Sequence, residues 1–135
     1  MSGGQDWAAS QIDSTRRGFT IWLPVPPVAC HPNTRCHWAQ RAKGTKWARG
    51  RAYHLAAPHA PPVPFERALV SADWKLRSPR DADGLWSWVK AYLDGFQDAG
   101  VVKNDNAFEL GPLTRDISRK RPLVECGVWL SVSEI

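Results

Sequence analysis

The sequence predicts an α/β (α+β) fold, with a small mixed β-sheet of about four strands and two main helices. Short segments near both ends and in the middle of the chain alternate apolar with polar residues, as strands with one buried face do. Two longer segments between them have the composition and spacing of helices. With 135 residues, 43% hydrophobic and 23% charged, the chain has the size and composition of one globular domain.

The first half of the chain divides into an arm, a strand and a helix. Residues 1–18 are polar and rich in glycine and serine, which predicts a flexible N-terminal arm ahead of a single domain at 19–135. A strand is expected at 19–23, where three prolines soon follow and end it. Residues 37–57 are typical of a basic helix, although the apolar period is loose and two glycines interrupt it.

The second half predicts a strand, a helix and two further strands. Alternation at 68–77 places four apolar side chains on one buried face, namely Val70, Ala72, Trp74 and Leu76. Apolar residues then recur at three and four, which predicts an amphipathic helix from about 84 to 99 with Gly100 as its C-cap glycine. The last strands are expected at roughly 107–117 and 123–132.

Charge and cysteine content indicate which binding partners and which cellular compartment the protein could have. Lys and Arg outnumber Asp and Glu by 18 to 13, an excess that is compatible with nucleic acid and also with an ordinary solvated basic face. Residues 35–53 favour nucleic acid because six cations there are interleaved with Trp38, Trp47 and Tyr53. Three cysteines, no signal peptide and no membrane span favour a cytoplasmic protein without disulfides.

The stretch CHPNTRCH at 30–37 raises the question of a zinc site. Its two cysteines are separated by five residues, no second knuckle follows, and adjacent Cys-His side chains diverge in extended chain. A polar loop leading into the basic helix is therefore the preferred interpretation.

RDADG, at 80–84, is the better candidate for a metal. Asp81 and Asp83 follow a strand, and if the chain stays extended both carboxylates face one way, as hard oxygen ligands for Mg²⁺ or Mn²⁺. Asp83 could instead cap the following helix.

Two further residues could join this site. Lys90 lies two helical turns after Asp83, although it is also spaced to pair with Asp94. Asp105 occupies a polar turn from which it could return to the strand end. Three carboxylates, a lysine and a basic aromatic surface are what a metal-dependent phosphodiesterase requires.

Several motifs occur in an order that resembles one family. They are LPVPP at 23–27, Asn33-x-Arg35-x-His37-Trp38, D-x-D at 81–83, K-x-x-x-D at 90–94, Ala99-Gly100, and Asp105. From about Phe19 to the C-terminus, this ordered set resembles the RusA family of Holliday-junction resolvases. The resemblance implies a small mixed α/β homodimer, often carried by phages and prophages. It also implies a Mg²⁺-dependent endodeoxyribonuclease, with Mn²⁺ as a possible substitute, that resolves four-way DNA junctions by paired nicks in recombination and repair.

By position, the resemblance assigns metal binding and catalysis to Asp81, Asp83 and Asp105, and a catalytic role at the phosphate to Lys90. The expected DNA-binding residues are Asn33, Arg35, His37, Lys43, Lys46, Arg49 and Arg80. Trp86 and Trp88 are interpreted as core or dimer contacts in preference to base-stacking groups.

Two departures from the family pattern leave other functions open. The family has D-x-D-N with the lysine four residues after the second aspartate, whereas this chain has DADG and a lysine seven residues after it. The final turn holds Asn104-Asp105 where the family often has two aspartates. A non-catalytic module that binds branched DNA, and a nuclease of broader flap or fork specificity, are the alternatives.

Overall fold

The structure, a computed structural model, describes residues 17–31 and 34–135. Four strands and three helices make up this part of the chain: β1 (Gly18–Pro24), α1 (Trp38–Ala56), β2 (Ala68–Leu76), α2 (Ala82–Trp88), α3 (Lys90–Asp98), β3 (Phe108–Ile117) and β4 (Gly127–Glu134). Single 3-10 turns occur at Val28–Cys30, Ala57–His59, Asp105–Ala107 and Leu123–Glu125.

The strands form one mixed sheet in the order β1-β4-β2-β3. β4 is antiparallel to both β1 and β2, whereas β2 and β3 are parallel and are joined through α2 and α3. Three strands therefore finish at one end of the sheet, where β4 begins; we call this the carboxyl end and the opposite one the amino end. This architecture confirms the predicted α+β fold, its four-stranded sheet and its two main helices.

The helices cover one face of the sheet. The inward side chains of β1, β2 and β4 form a continuous core with Leu85, Tyr92 and Phe96 of the helices. The opposite face carries the alternate residues, including the tilted pair Trp22–Trp129 with ring centroids 5.2 Å apart. The burial of β2 alternates along all nine of its residues, so the predicted buried face is confirmed.

α1 and α3 are in close contact, and small residues permit it. Ala48, Ala52 and Ala56 are fully buried along one side of α1. A Cβ added at Gly95 of α3 would overlap the backbone carbonyl of Arg49 and lie 2.8 Å from the Cβ of Ala52. The two backbones therefore approach at a place where only glycine fits on α3.

Three boundaries differ from the predictions. The expected helix from 84 to 99 is two helices, because Val89, at φ −87° and ψ 2°, interrupts it. The last strand begins at Gly127, since a 3-10 turn occupies Leu123–Glu125. The predicted arm lies outside the described residues up to 16, whereas Arg17 pairs with Glu134 and Gly18 already belongs to β1. The left-handed Gly100, at φ 88°, confirms the predicted C-cap.

A search of the described helices for one with the length and apolar character of a membrane span finds none.

Candidate functional site

Two segments whose contacting residues are 49 positions apart in sequence meet at the carboxyl end of the sheet. The loop after β1 and the loop after β2 both emerge there, and His31 Nε2 lies 3.2 Å from Arg80 Nη1. The Arg80 guanidinium stacks 4.9 Å from the ring centroid of Trp88. Arg115 of β3 donates a hydrogen bond to the Arg80 carbonyl at 2.7 Å. The RDADG segment is thus fixed against the loop that contains CHPNTRCH.

Trp88 packs beneath Arg80 and anchors the contact between these two loops to the core. It is buried, its indole N–H donates to the Pro27 carbonyl at 3.1 Å, and it stacks on Trp74 with centroids 5.9 Å apart. The expectation that Trp88 belongs to the core is therefore confirmed, and Trp86 is partly buried against the same core. Trp74 Nε1 is buried without a hydrogen-bond partner in the described part of the chain.

The two aspartates of the D-x-D motif begin α2. Asp81 is the N-cap residue, with extended backbone at φ −74° and ψ 156°, and Asp83 lies in the first turn. The motif is therefore not extended, and the prediction that both carboxylates face the same side of a strand is wrong. The alternative capping role of Asp83 does not apply either, because Asp81 occupies the N-cap position and makes no side-chain capping bond. Both residues are exposed.

The absence of a side chain at Gly84 leaves space for the Asp81 carboxylate. A Cβ at position 84 would lie 2.6 Å from Asp81 Oδ1, so the absence of a side chain allows this oxygen to lean over the first turn of α2. Glycine in the DADG sequence therefore has a direct effect on the position of a candidate metal ligand.

The fit of a divalent metal rests on these two carboxylates. Mg²⁺ commonly binds through one or two carboxylates, with waters and substrate phosphate completing its coordination. Asp81 and Asp83 supply hard oxygen donors at an exposed place, so the donor set suits Mg²⁺ or Mn²⁺. The described residues contain no group of three or more His, Cys, Asp or Glu that could hold a metal by themselves.

Asp105 lies at the other end of the sheet. It precedes β3, whose first residue, Phe108, pairs with Ala68 at the start of β2, whereas Arg115 and Arg80 are level with Trp74. Six residue steps along a strand span about 20 Å. Within one chain, therefore, the structure does not bring Asp105 to Asp81 and Asp83.

Lys90 is the first residue of α3, just beyond the break at Val89. The break removes the straight helix on which its alignment with Asp83 depended. Its ammonium lies 3.9 Å from Asp94, so the ordinary i, i+4 pair is present. With Arg41, Lys90 and Asp94 line a hollow of about 200 Å³ between α1 and α3.

The surroundings of His31 disfavour its charged form. Burial lowers the pKa of His31, the neighbouring Arg80 charge lowers it further, and Asp81 acts in the opposite direction.

Three side chains of the CHPNTRCH segment contact three different neighbours. Cys30 Sγ turns towards Thr45, at 3.9 Å from Oγ1, while His31 contacts Arg80. His37 caps α1, its Nδ1 accepting the N–H of Ala39 at 3.1 Å. Asn33 lies outside the described residues, and Arg35 is exposed.

One face of α1 forms a shallow basic groove of about 450 Å³, which we call the α1 groove. It is lined by Lys43, Lys46, Trp47, Gly50, Arg51 and His54. α1 contains five Lys or Arg and no Asp or Glu. Two of the predicted DNA-binding residues, Lys43 and Lys46, thus lie together. Trp47 and Arg51 belong to the stretch whose sequence favours nucleic acid, but not to the expected DNA-binding residues, and His54 was missed altogether. Their spacing of three, four and seven along a helix could have identified all three as one face.

Arg49 is separated from the groove. Its guanidinium forms a two-bond ion pair with Asp98 of α3, one bond measuring 2.8 Å. Hydrogen bonding to Arg49 lowers the pKa of Asp98. Arg49 therefore joins α1 to α3, and its charge is already compensated.

The fold and this site define a small α+β protein with a cationic helix and an exposed pair of aspartates beside a basic loop. No family model matches the chain. The chain is 31% identical over 122 residues to an uncharacterized protein of Xylella fastidiosa strain Temecula1, a match covering 86% of this chain and 79% of that protein. The chain belongs to the same family as that protein.

Proposed function

We propose that the protein is a structure-selective, Mg²⁺-dependent endodeoxyribonuclease of the RusA type. It resolves Holliday junctions by paired nicks, as a homodimer in the cytoplasm, which is the host cytoplasm if a phage encodes it. The observation that carries the proposal is the contact of His31 with Arg80, because it brings the chain that follows the LPVPP motif to the residue directly before the D-x-D motif.

The exposed residues at this place have the chemistry that phosphodiester hydrolysis needs. Asp81 and Asp83 would hold Mg²⁺, which supplies an activated water and neutralises charge on the phosphate. Arg80, fixed by Trp88 and Arg115, presents a cation directly before the first aspartate. Its guanidinium would bind the backbone beside the scissile phosphate and orient it.

Lys90 would act from the start of α3, beyond the break at Val89. It is 69% exposed and only loosely paired with Asp94, so its ammonium is available to a phosphate that enters the hollow between α1 and α3. Lys43 and Lys46 supply a second cationic surface on a different face of α1, in the α1 groove. DNA would therefore meet cations at the hollow and, separately, on the α1 groove.

The test is cleavage of a synthetic four-way junction with and without Mg²⁺, comparing wild type with Asp81→Asn/Asp83→Asn. We expect the double variant to lose cleavage by at least about a hundredfold while binding the junction in EDTA, because metal ligation is removed without loss of the basic surface. Glu66→Gln, an exposed acid-to-amide change near the amino end, is the matched control. Mg²⁺-dependent cleavage that survives in the double variant would sink the proposal.

A second candidate is a non-catalytic module that binds branched DNA. The separation of Asp105 from Asp81 and Asp83 favours it, since a single chain offers two carboxylates where the family uses three. Tight junction binding in EDTA, followed by no cleavage with Mg²⁺ or Mn²⁺, would support this candidate. Cleavage of flaps or forks as readily as four-way junctions would instead support the nuclease of broader specificity.

A further inference from the structure

The α1 groove contains a glycine that internal packing does not explain. Glycine is unfavourable inside a helix, so it persists where a side chain would collide with something. A Cβ at Gly44 would touch Pro27, Ala29 and Cys30, and one at Gly95 would overlap Arg49. At Gly50, by contrast, nothing described lies within 4 Å of the added atom.

Trp47 lies beside this gap. It is 47% exposed, although tryptophan is usually well buried, and Gly50 is one helical turn further along the same face. Lys43 and Arg51, four residues before and after Trp47, place a cation on each side of the indole. The groove therefore combines a half-exposed indole, open space at Gly50 and positive charge at both ends.

The charges identify the kind of molecule that fits. The groove has no carboxylate lining it, and α1 has none along its length. A second copy of the chain docked about a twofold axis would bring Lys43, Lys46 and Arg51 against the same cations, which is unfavourable. A strand of nucleic acid has the opposite charge, and its unpaired bases stack on exposed aromatic side chains.

We propose that Trp47 is a stacking platform for an unpaired base, with Lys43, Lys46 and Arg51 binding the flanking phosphates. Gly50 leaves the space that the base or its sugar occupies. The proposal deepens the proposed function, on which it rests for the identity of DNA as the substrate. It adds that the protein recognises unpaired nucleotides, such as those exposed where junction strands cross, in addition to paired arms.

The experiment measures dissociation constants in EDTA by fluorescence anisotropy with a labelled 12-nucleotide oligo-dT and a duplex of equal length. Trp47→Ala is expected to weaken oligo-dT binding about tenfold or more, and Trp47→Phe by less than about threefold, because phenylalanine retains a stacking face. Duplex binding should change less than about threefold in both. Trp129→Ala, which removes a half-exposed indole on the uncovered sheet face, should alter neither affinity.

Two further variants separate recognition from folding. Gly50→Ala should raise the melting temperature, since alanine favours the helix, and yet weaken oligo-dT binding by filling the gap. Arg51→Ala should lower the slope of the logarithm of the oligo-dT binding constant against the logarithm of salt concentration. The decrease should correspond to the loss of about one phosphate contact. Arg49→Ala is the matched control, and it should leave that dependence unchanged because Asp98 already binds its guanidinium.

Unchanged oligo-dT affinity in Trp47→Ala overturns the stacking proposal, and it leaves the proposed function intact if the variant still cleaves junctions. A change of oligomeric state in Trp47→Ala, with DNA affinity preserved, also overturns it and makes the groove a contact between copies. Tight oligo-dT binding that depends on Trp47, in a wild-type protein that cleaves no junction, supports the stacking proposal and removes the proposed function.

Discussion

Tyr92 shows how one side chain joins a helix to the end of a strand. It is fully buried in α3, and its hydroxyl donates to the Pro24 carbonyl at the end of β1, at 2.6 Å. Burial raises its pKa well above the usual value, so the hydroxyl remains a donor over the whole physiological range. The apolar period of the sequence placed Tyr92 on the buried face, but it carried no information on the carbonyl that the hydroxyl would reach.

Tyr92→Phe tests this bond. We expect a loss of about 1 kcal/mol in the free energy of unfolding, because the partly buried Pro24 carbonyl loses its donor while the ring still packs. Urea denaturation measures the change, and Tyr53→Phe, at an exposed site on α1, should have almost no effect. Equal stabilities for the two variants would mean that the Tyr92 hydrogen bond contributes nothing net.

At the scale of elements, two helical glycines differ in what they contribute to the contact between α1 and α3. Gly95 faces the Arg49 carbonyl directly, whereas Gly50 faces open space. Both interrupt predicted helices in the sequence, and neither the composition nor the period distinguishes them. Only the packing of one helix on the other separates a structural glycine from one that the fold does not require.

Alanine substitution at these two glycines should therefore change stability in opposite directions. Gly95→Ala is expected to destabilise the protein by about 2 kcal/mol or more, because α1 and α3 must move apart. Gly50→Ala is expected to stabilise it by about 0.5–1 kcal/mol through helix propensity alone. The denaturant midpoints of the two variants measure these changes if the slopes of the unfolding free energy against denaturant concentration are equal. A stabilising Gly95→Ala would contradict the observed packing.

β1, β2 and α1 were predictable because their patterns are local. Alternation along β2 and the proline-terminated segment at β1 define their own bounds within a residue or two. The break at Val89 was not predictable, since the apolar period runs through it and Trp88 is held by the distant Pro27 carbonyl. Similarly, β4 begins late because residues 123–125 form a 3-10 turn with exposed Leu123 and Val124.

At the scale of the whole molecule, the three predicted metal ligands divide between two ends of one sheet. β2 and β3 are parallel, so the crossover through α2 and α3 returns the chain to the amino end before Asp105. The sequence identified each residue and the spacing between them. It could not give the direction of β3, on which the separation of the carboxylates depends.

In the proposed homodimer, a twofold axis would remove this separation. β3 is the outermost strand, with Leu110 and Ile117 exposed by 55% and 38%. Two β3 strands related by a twofold axis perpendicular to them run antiparallel, so the amino end of each lies beside the carboxyl end of the other. Asp105 of one copy would then approach Asp81 and Asp83 of the second copy.

Mixing inactive variants tests this arrangement. The Asp81→Asn/Asp83→Asn variant and the Asp105→Asn variant should each be unable to cleave the junction alone. A co-refolded mixture of the two should recover about a quarter to a half of the wild-type nicking rate, with each mixed dimer nicking one strand of the junction. Recovery is expected because a mixed dimer contains one site with all three aspartates. Mixtures that remain inactive, while each variant forms dimers, would exclude a site shared between copies.

The uneven distribution of charge would affect how the protein approaches the DNA of the proposed function. The acids of the uncovered sheet face are paired, Asp73 with Lys75, Asp116 with Lys75 and Arg121, and Glu109 with Arg67. On the other layer, α1 carries five cations and no acid, whereas α2 and α3 carry Asp83, Asp94 and Asp98. Positive charge is therefore concentrated along one helix, and the field of a polyanion would draw α1 towards it before contact. A greater share of encounters would then begin at α1 than net charge alone would allow.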